Sequence, residues 1–497
     1  MAQEKYIGID LGTSTSGLAH VKADGTPEIV PNCDGERLTP SIVFFDRFDG
    51  VKLIGSAARD GGDPDRTVHN IKKHMDDPSF FIEMDGQKWT PTEISALILA
   101  KLKQDCSNII GEINEVVITV PANFNELARN ATTTACRLAG MKVSRLVNEP
   151  TAAALYYAHT RDISGKVMVY DLGGGTLDIT ILNIEGEKID ILLSEGARHL
   201  GGSNFDEILI EILAQEYHKQ NGADLFQDER QRRRAMITSE DAKKMLSKLQ
   251  RITETVGNDT DGSARINLTR DSFEEAISRL LTRTVMLVEQ ALDALELKPS
   301  DIDHVVLVGG STRMPIVPQT LRDQFGFDPI SCGNVDECVP LGAALFAKQA
   351  RQVSEVCNQS YGTIAIIEDA STGKSELRNS IVIPKNTPIP CSMSQTYITS
   401  EDNEELIEVE ITQGEDPDPR YVDIVGKISL KVPPGRPAGC EVVVTYSYDE
   451  NQRVKAKILD EESGQSQNID IEYEGEGVLS EKDIERKSAY LKQITIV

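Results

Sequence analysis

Short apolar runs alternate with helical patterns from the start of the chain to about residue 350. Glu115-Val-Val-Ile-Thr-Val120 is one such run, 124–139 carries its apolar positions at helical spacing, 142–147 returns to strand, and Pro150 opens the next helix. A proline in a first helical turn gives up an N–H that has no partner there anyway. Strands and helices in this order predict an α/β architecture. Residues 205–256 and 271–297 are predicted as helices, with Glu229-Arg-Gln-Arg-Arg-Arg234 read as a solvated helix face. Near 350 the texture changes. A helix over 343–352 gives way to 354–361 without periodicity, then almost only to strands, at 364–367, 380–383, 406–411, 426–432, 441–447, 453–459 and 466–472. Turns such as Glu415-Asp-Pro-Asp-Pro419 and Pro433-Pro-Gly435 separate them. Short alternating strands at this spacing predict a compact antiparallel β-sandwich. Ser480-x-x-Asp483 signals one last short helix.

A chain of 497 residues exceeds the roughly 250–300 at which single cores stop growing, so at least two domains are expected. The net charge of −27 argues against a nucleic-acid partner, which would need a positive face. No apolar run approaches the roughly 18 residues of a membrane span, and the first residues have no apolar signal core. A cytoplasmic location away from membranes is expected. The eight cysteines include no Cys-x-x-Cys pair and stand with no histidine at ligand spacing, the pattern of reduced, packed thiols.

Two segments repeat one another: Lys5-Tyr-Ile-Gly-Ile-Asp-Leu-Gly-Thr-Ser-Thr15 and Lys166-Val-Met-Val-Tyr-Asp-Leu-Gly-Gly-Gly-Thr176. Each is an apolar strand ending in Asp-Leu-Gly and then small hydroxyl or glycine residues, the composition with which backbone N–H groups curl around a phosphate. Asp10 and Asp171 can hold Mg²⁺, directly or through its waters, because that cation takes oxygen ligands and keeps several waters. Two facing hairpins would clamp a nucleotide between two lobes. Asp178, on a returning strand over 177–182, joins Asp171 and Thr176 near one point. Carboxylates massed beside phosphates call for metal ions between them. A third glycine turn, Gly309-Gly-Ser-Thr-Arg-Met-Pro315, follows the strand 304–308. It makes Ser311 and Arg313 candidates for the adenosine side, since a guanidinium can stack on a base.

From Ile7 to about Ile471 the chain resembles the seventy-kilodalton heat-shock chaperones. The resemblance rests on Ile9-Asp-Leu-Gly-Thr13, Thr39-Pro-Ser41, Val120-Pro-Ala122, Asn148-Glu-Pro-Thr-Ala-Ala-Ala154, Tyr170-Asp-Leu-Gly-Gly-Gly-Thr176, His199-Leu-Gly-Gly202 and Val308-Gly-Gly-Ser-Thr-Arg-Met-Pro315. Beyond these stand Lys385-Asn-Thr387, Ser400-Glu-Asp-Asn403 and Gln413-Gly-Glu415. It implies an actin-like two-lobed ATPase domain over 1–350, a linker over 351–358, a peptide-binding β-sandwich over 359–476, and a short helix over 477–497 where a long helical lid is missing. It implies an ATP-dependent chaperone whose slow hydrolysis controls binding and release of extended hydrophobic segments of unfolded proteins.

By the same likeness, Gly12, Thr13, Ser14, Gly173, Gly174, Gly175 and Thr176 would cradle phosphates of ATP or ADP. Asp10, Asp171 and Asp178 would arrange Mg²⁺, potassium ions and the attacking water. Lys72 would stand near the γ-phosphate, and Glu149 would organise the metal's water shell. Gly201 and Gly202 would close over the phosphates. Glu240, Lys243 and Ser247, at i, i+3 and i+7, would grip ribose and adenine, with Gly309, Gly310, Ser311, Arg313 and Asp336 completing the pocket. Pro121 and Arg129 would relay nucleotide state between domains, and Arg145 with Asn148 would receive a J-domain co-chaperone. A nucleotide exchange factor is the other partner implied. Ser400, Glu404, Ile407 and Val409 would contact bound peptide, with Ile407 in its apolar pocket or, equally, in the sandwich core.

The chain departs from the family pattern at four points. Thr15 replaces an asparagine, and the segment from about Cys33 to Trp89 runs short. Ala350-Arg-Gln-Val-Ser-Glu-Val356 lacks the family's leucine cluster, so weak coupling between domains is expected. With one short helix for a lid, peptide exchange is expected to be fast in every nucleotide state. The alternative to a turning-over chaperone is a nucleotide-clamped holdase or client-specific adaptor. A small-molecule kinase is disfavoured by the strand-rich 360–475.

Overall fold

The computed structural model describes every residue except 1–4, 61–62, 162, 187, 228, 259–260, 332–333, 349–352, 369–374, 450–452 and 471–478. Two six-stranded sheets form the first part of the chain, and both are built around the duplicated hairpin. In one, Ile7–Leu11 pairs antiparallel with Thr15–Val21 and parallel with Glu115–Val120, which pairs in turn with Lys142–Asn148. In the other, Gly165–Leu172 pairs antiparallel with Leu177–Glu185 and parallel with His304–Val308. Apolar residues fill both faces of these strands; Gly165–Leu172 buries Val167 through Leu172 without a break, as a sheet sandwiched by helices requires. The helices Glu149–Arg161 and Cys338–Lys348 pack together in a core shared by both sheets. These two lobes are joined to a β-sandwich.

The sandwich consists of two four-stranded antiparallel sheets, one ordered Ser375–Ile383, Tyr361–Glu368, Leu406–Gln413, Asp423–Lys431. The other runs Cys391–Ile398, Glu441–Tyr448, Val454–Asp460, Ser466–Asp470. Alternate residues of Glu441–Tyr448 face the core, where Val444, Tyr446 and Ile458 meet Ile411 and Ile428.

Several expectations change. The helix predicted through 256 ends at Leu246, and Arg251–Asn258 instead pairs with Gly262–Thr269. Ile252 and Val256 face Ala264, Ile266 and Leu268 in the core of the second lobe, so a period of two outweighs the helical reading of a charged stretch. The helix predicted over 271–297 is two, Arg270–Ala276 and Ser278–Ala294, broken where buried Ile277 takes φ −87° and ψ 0°. The helix placed over 343–352 spans Cys338–Lys348, and its last four predicted positions lie outside the described residues. The end of the 466–472 strand, at 471–472, lies outside them too. Cys391–Ile398 carries almost only exposed side chains; it leaves no apolar alternation to detect, and main-chain pairing with Glu441–Tyr448 holds it.

The linker is the largest change. Without leucines, Val353–Val356 still adds a strand to the second lobe, pairing Ile189 with Val353 and Asp190 with Ser354, and on its other edge with Pro388–Ile389 of the sandwich. Main-chain bonds and the buried Val356 hold the linker between the second lobe and the sandwich. Around it, Lys385 Nζ lies 2.8 Å from Glu195, Asn386 accepts from the Ser194 amide at 3.1 Å, and Asn125 donates to Asp423 at 3.1 Å.

Candidate active site

The two hairpins face each other across a cavity of about 670 Å³. Asp10 stands one residue before the end of its strand beside Thr119, whose hydroxyl donates to it at 2.8 Å. Asp171 holds the same place in the matching strand and stands opposite Asp178 in register. Lys72 comes from the 3-10 turn Ile71–His74, is 6% exposed, and donates to Glu149 at 2.5 Å. Glu149 is the first residue of its helix. Asp10, Lys72, Glu149, Asp171 and Thr176 line the cavity together with Gly12, Thr13, Ser14, Gly173 and Gly174. Asp178, Gly175, Gly201 and Gly202 stand behind that lining, outside the cavity wall.

The glycines are there for close approach. A side chain at Gly201 would put its Cβ 2.6–2.8 Å from the backbone of Gly174 and Gly175, so the two loops touch main chain to main chain. Gly202 and Ser203 amides donate to Gly173 and Gly174 carbonyls at 2.9 Å. Gly309 has φ +82°, a conformation open to glycine at little cost. It turns the chain so that the Ser311 hydroxyl donates to the Gly173 carbonyl at 2.8 Å.

Glu240, Lys243 and Ser247 line the far end of the cavity, with Lys244 and Lys248 beside them. Lys243 is held by Asp206 and by the Gly202 carbonyl, at 2.8 and 2.9 Å. Gly310, Ser311, Arg313 and Asp336 also line it; Arg313 and Asp336 pair at 2.7 Å. Lys244 and Lys248 were missed because each sits one position beyond the helical face taken from Glu240, Lys243 and Ser247. Met314 of the third glycine turn supplies apolar wall together with Leu38, Val335 and Val339, which no local motif marks.

Four carboxylates share this region with one buried ammonium. Burial first, and the Glu149 carboxylate second, push Asp10 up to about 7. The same two causes, eased by the Asn123 amide and Lys72, bring Asp178 to about 7. Asp171 lies well above its ordinary value, from burial and then from Glu149, Asp178 and Asp10. Burial works against the Lys72 charge, but Glu149 and Asp10 outweigh it and raise its pKa. Both Asp178 carboxylate oxygens are buried without full hydrogen-bond geometry to any described group. Such uncompensated negative charge fits a divalent cation with its waters. Among the described residues no three His, Cys, Asp or Glu side chains converge as a direct ligand set.

From the site a chain of contacts runs to the linker. Pro121 follows the Glu115–Val120 strand and borders Lys72 and Thr176. Buried Arg129 donates to the Ala122 and Phe124 carbonyls and to Asn148, at 3.2, 3.0 and 3.0 Å. Asn148 donates in turn to linker Glu355 at 2.9 Å, so it lies under the linker and is 2% exposed. Arg145 stacks its guanidinium 5.6 Å from the Phe346 ring. In the sandwich, Ser400 is exposed, Glu404 half-buried, and Ile407 and Val409 point into the core.

A nucleotide-clamping pair of lobes docked on a β-sandwich defines a class, and comparison gives the family. A family model described as Hsp70 protein matches residues 6–80 and 75–494. The chain is 38% identical to the chaperone protein DnaK of Thermotoga neapolitana, the match covering 98% of this chain and 83% of that protein. It is 37% identical to that of Thermotoga petrophila with the same coverage. The chain belongs to the Hsp70 family, and it is an ATP-dependent chaperone. Proteins of this family bind ATP or ADP with Mg²⁺, bind unfolded polypeptides and work with co-chaperones. No helix among the described residues is long and apolar enough to cross a membrane, and the seven described cysteines are free thiols.

Proposed function

We propose that the chain hydrolyses ATP between its two hairpins as a slow timer for holding extended polypeptide. The Lys72–Glu149 pair at 2.5 Å, standing among Asp10, Asp171 and Asp178, is the observation that carries the reading. Thr13, Ser14 and Thr176 hold phosphate oxygens with the amides of the glycine loops. Lys72 stabilises charge on the equatorial oxygens of the transferring group, and Glu149 keeps that ammonium in place. Asp10 and Asp171 orient the water shell of Mg²⁺, which when bound neutralises phosphate charge. Asp178 orients the attacking water and, with Asp10, would help hold potassium ions. Gly201 and Gly202 close the site. Glu240, Lys243 and Ser247 hold ribose and adenine opposite Ser311, Arg313 and Asp336.

Pro121, Arg129 and Asn148 pass the state of the site to Glu355 and the linker. A J-domain partner works at Arg145 and the Asn148–Glu355 contact, and an exchange factor opens the lobes. Peptide is held at the 399–405 turn by Ser400 and Glu404, with Ile407 and Val409 supporting that turn from the sandwich core. A cytoplasmic setting goes with the free thiols. The test is single-turnover hydrolysis by Lys72→Ala. A loss of about a hundred- to thousandfold is expected, the size seen when one transition-state donor is removed, with ATP still bound. An unchanged rate refutes the assignment. In the same assay an unfolded peptide with a J-domain protein is expected to accelerate turnover, and a flat response refutes the partner assignment.

A further inference from the structure

After the sandwich the chain returns to the first lobe. Helix Glu481–Leu491 buries Ile484 and Leu491 in that lobe's core beside Trp89 and Leu138. Lys487 pairs with Glu93 at 2.6 Å, Ser488 donates to the Leu138 carbonyl at 3.2 Å, and the Tyr490 hydroxyl donates to Gln87 at 3.0 Å. Arg137 pairs with Glu481. Beyond the helix the tail turns extended along the open edge of Lys52–Ile54. Lys52 and Ile54 amides donate to the Thr495 and Val497 carbonyls at 2.9 Å, and the Val497 amide donates to the Lys52 carbonyl at 3.0 Å. The pairing is parallel, Lys52 opposite Ile496.

The sheet so extended leads to the active site. Lys52–Ile54 pairs with Val43–Phe45, which pairs with Thr67–Val68. From Val68 the chain runs through Asn70, at φ 54°, into the turn that carries Lys72. Aromatic contacts cross-link the assembly: Phe45 meets Trp89 edge-on at 5.2 Å, and Trp89 meets the Tyr490 ring at 6.3 Å. The three strands of this sheet are only two or three residues long, so a fourth strand adds a large share of its main-chain bonds.

We propose that residues 480–497 are an intramolecular clasp, docked by strand addition on the Lys52–Ile54 edge, and that the clasp positions Lys72. Its occupant is this chain's own tail. Main-chain bonds supply the grip, and Ile494 and Ile496, packed against the lobe core, set the register. The helix supplies anchorage and the strand supplies rigidity to the Lys72 turn. The inference rests on the Lys72 reading above, and turnover in this chain depends on its own last strand as a positioning element.

The test removes residues 494–497 from the full chain, leaving the helix and its buried Ile484 and Leu491. The single-turnover rate is expected to fall at least about tenfold while the ATP dissociation constant stays within about threefold, as a displaced transition-state donor requires. Emission of the single tryptophan, Trp89, is expected to shift as the neighbouring tail leaves. In a chain cut after residue 478, a synthetic 479–497 peptide is expected to restore both rate and emission. Where the cut chains fail to fold, Val497→Pro, which deletes the Val497 amide donor to Lys52 and restricts the backbone of Ile496, is expected to lower the rate in the same direction. A folded truncation that hydrolyses at the full rate overturns the proposal, as does a folded Val497→Pro at the full rate or a peptide that binds without restoring it. If Lys72→Ala alone is silent, the Lys72 reading has failed, and peptide binding with its Trp89 signal still reports whether the clasp exists.

Discussion

Docking of the sandwich should depend on pH through Glu126. This residue opens the helix Glu126–Leu138 at the interface, where its amide donates to Gln413 of the sandwich at 3.1 Å. Its side chain is buried, and Oε2 finds no hydrogen-bond partner among the described residues. Burial, only partly offset by Arg129 and Arg453, raises its pKa from 4.5 to about 7. Linker Glu355 moves the same way, from burial opposed by Thr151 and Asn148. With the sandwich undocked, Glu126 regains water and its ordinary value. The docked state therefore binds the proton more tightly. Its contribution is fully present below about pH 4.5 and is lost as pH rises to about 7. At about 1.4 kcal/mol per unit this is about 3 kcal/mol, roughly a hundredfold in the docking equilibrium. Glu126→Gln removes the larger of the two titrating contributions, leaving Glu355. The assay is energy transfer between dyes on the first lobe and the sandwich, without nucleotide, from pH 5 to 8. The wild-type chain should undock progressively, and the variant should remain docked at pH 8 with a much flatter profile. Equal profiles for the two proteins would refute the reasoning.

Two further outcomes follow from packing and charge. Gly201→Ala forces a Cβ to 2.6–2.8 Å from backbone atoms of Gly174 and Gly175, which no rotamer can relieve. At about 1–3 kcal/mol for overpacking, ATP affinity measured by calorimetry should fall about ten- to hundredfold, and native affinity would show that the loops do not close as described. Asp460→Ala leaves the half-buried Arg436, its partner at 2.5 Å, with only the exposed Glu462 as counter-charge. Removing the acceptor from such a partly buried pair costs about 1–3 kcal/mol, so the sandwich should melt below wild type by calorimetry; an unshifted transition would show the pair to be dispensable.

The duplicated Asp-Leu-Gly hairpins, the glycine loops and the sandwich strands are legible in the chain because their causes are local. A period of two, a turn that needs small residues and a carboxylate at a strand end are all written within a few positions. The hairpin at 251–269 escaped because charged residues on its exposed face hide the alternation, and Cys391–Ile398 escaped because it has almost no buried face at all. Other features exist only through closure of the chain. Lys72 meets Glu149 across 77 positions and Asn125 meets Asp423 across 298, distances over which no sequence period carries information. The linker strand and the returning tail are set by open sheet edges, whose unpaired N–H and C=O groups accept any backbone of suitable reach. Side chains chose the elements; main-chain edges and the burial of charge chose which elements meet.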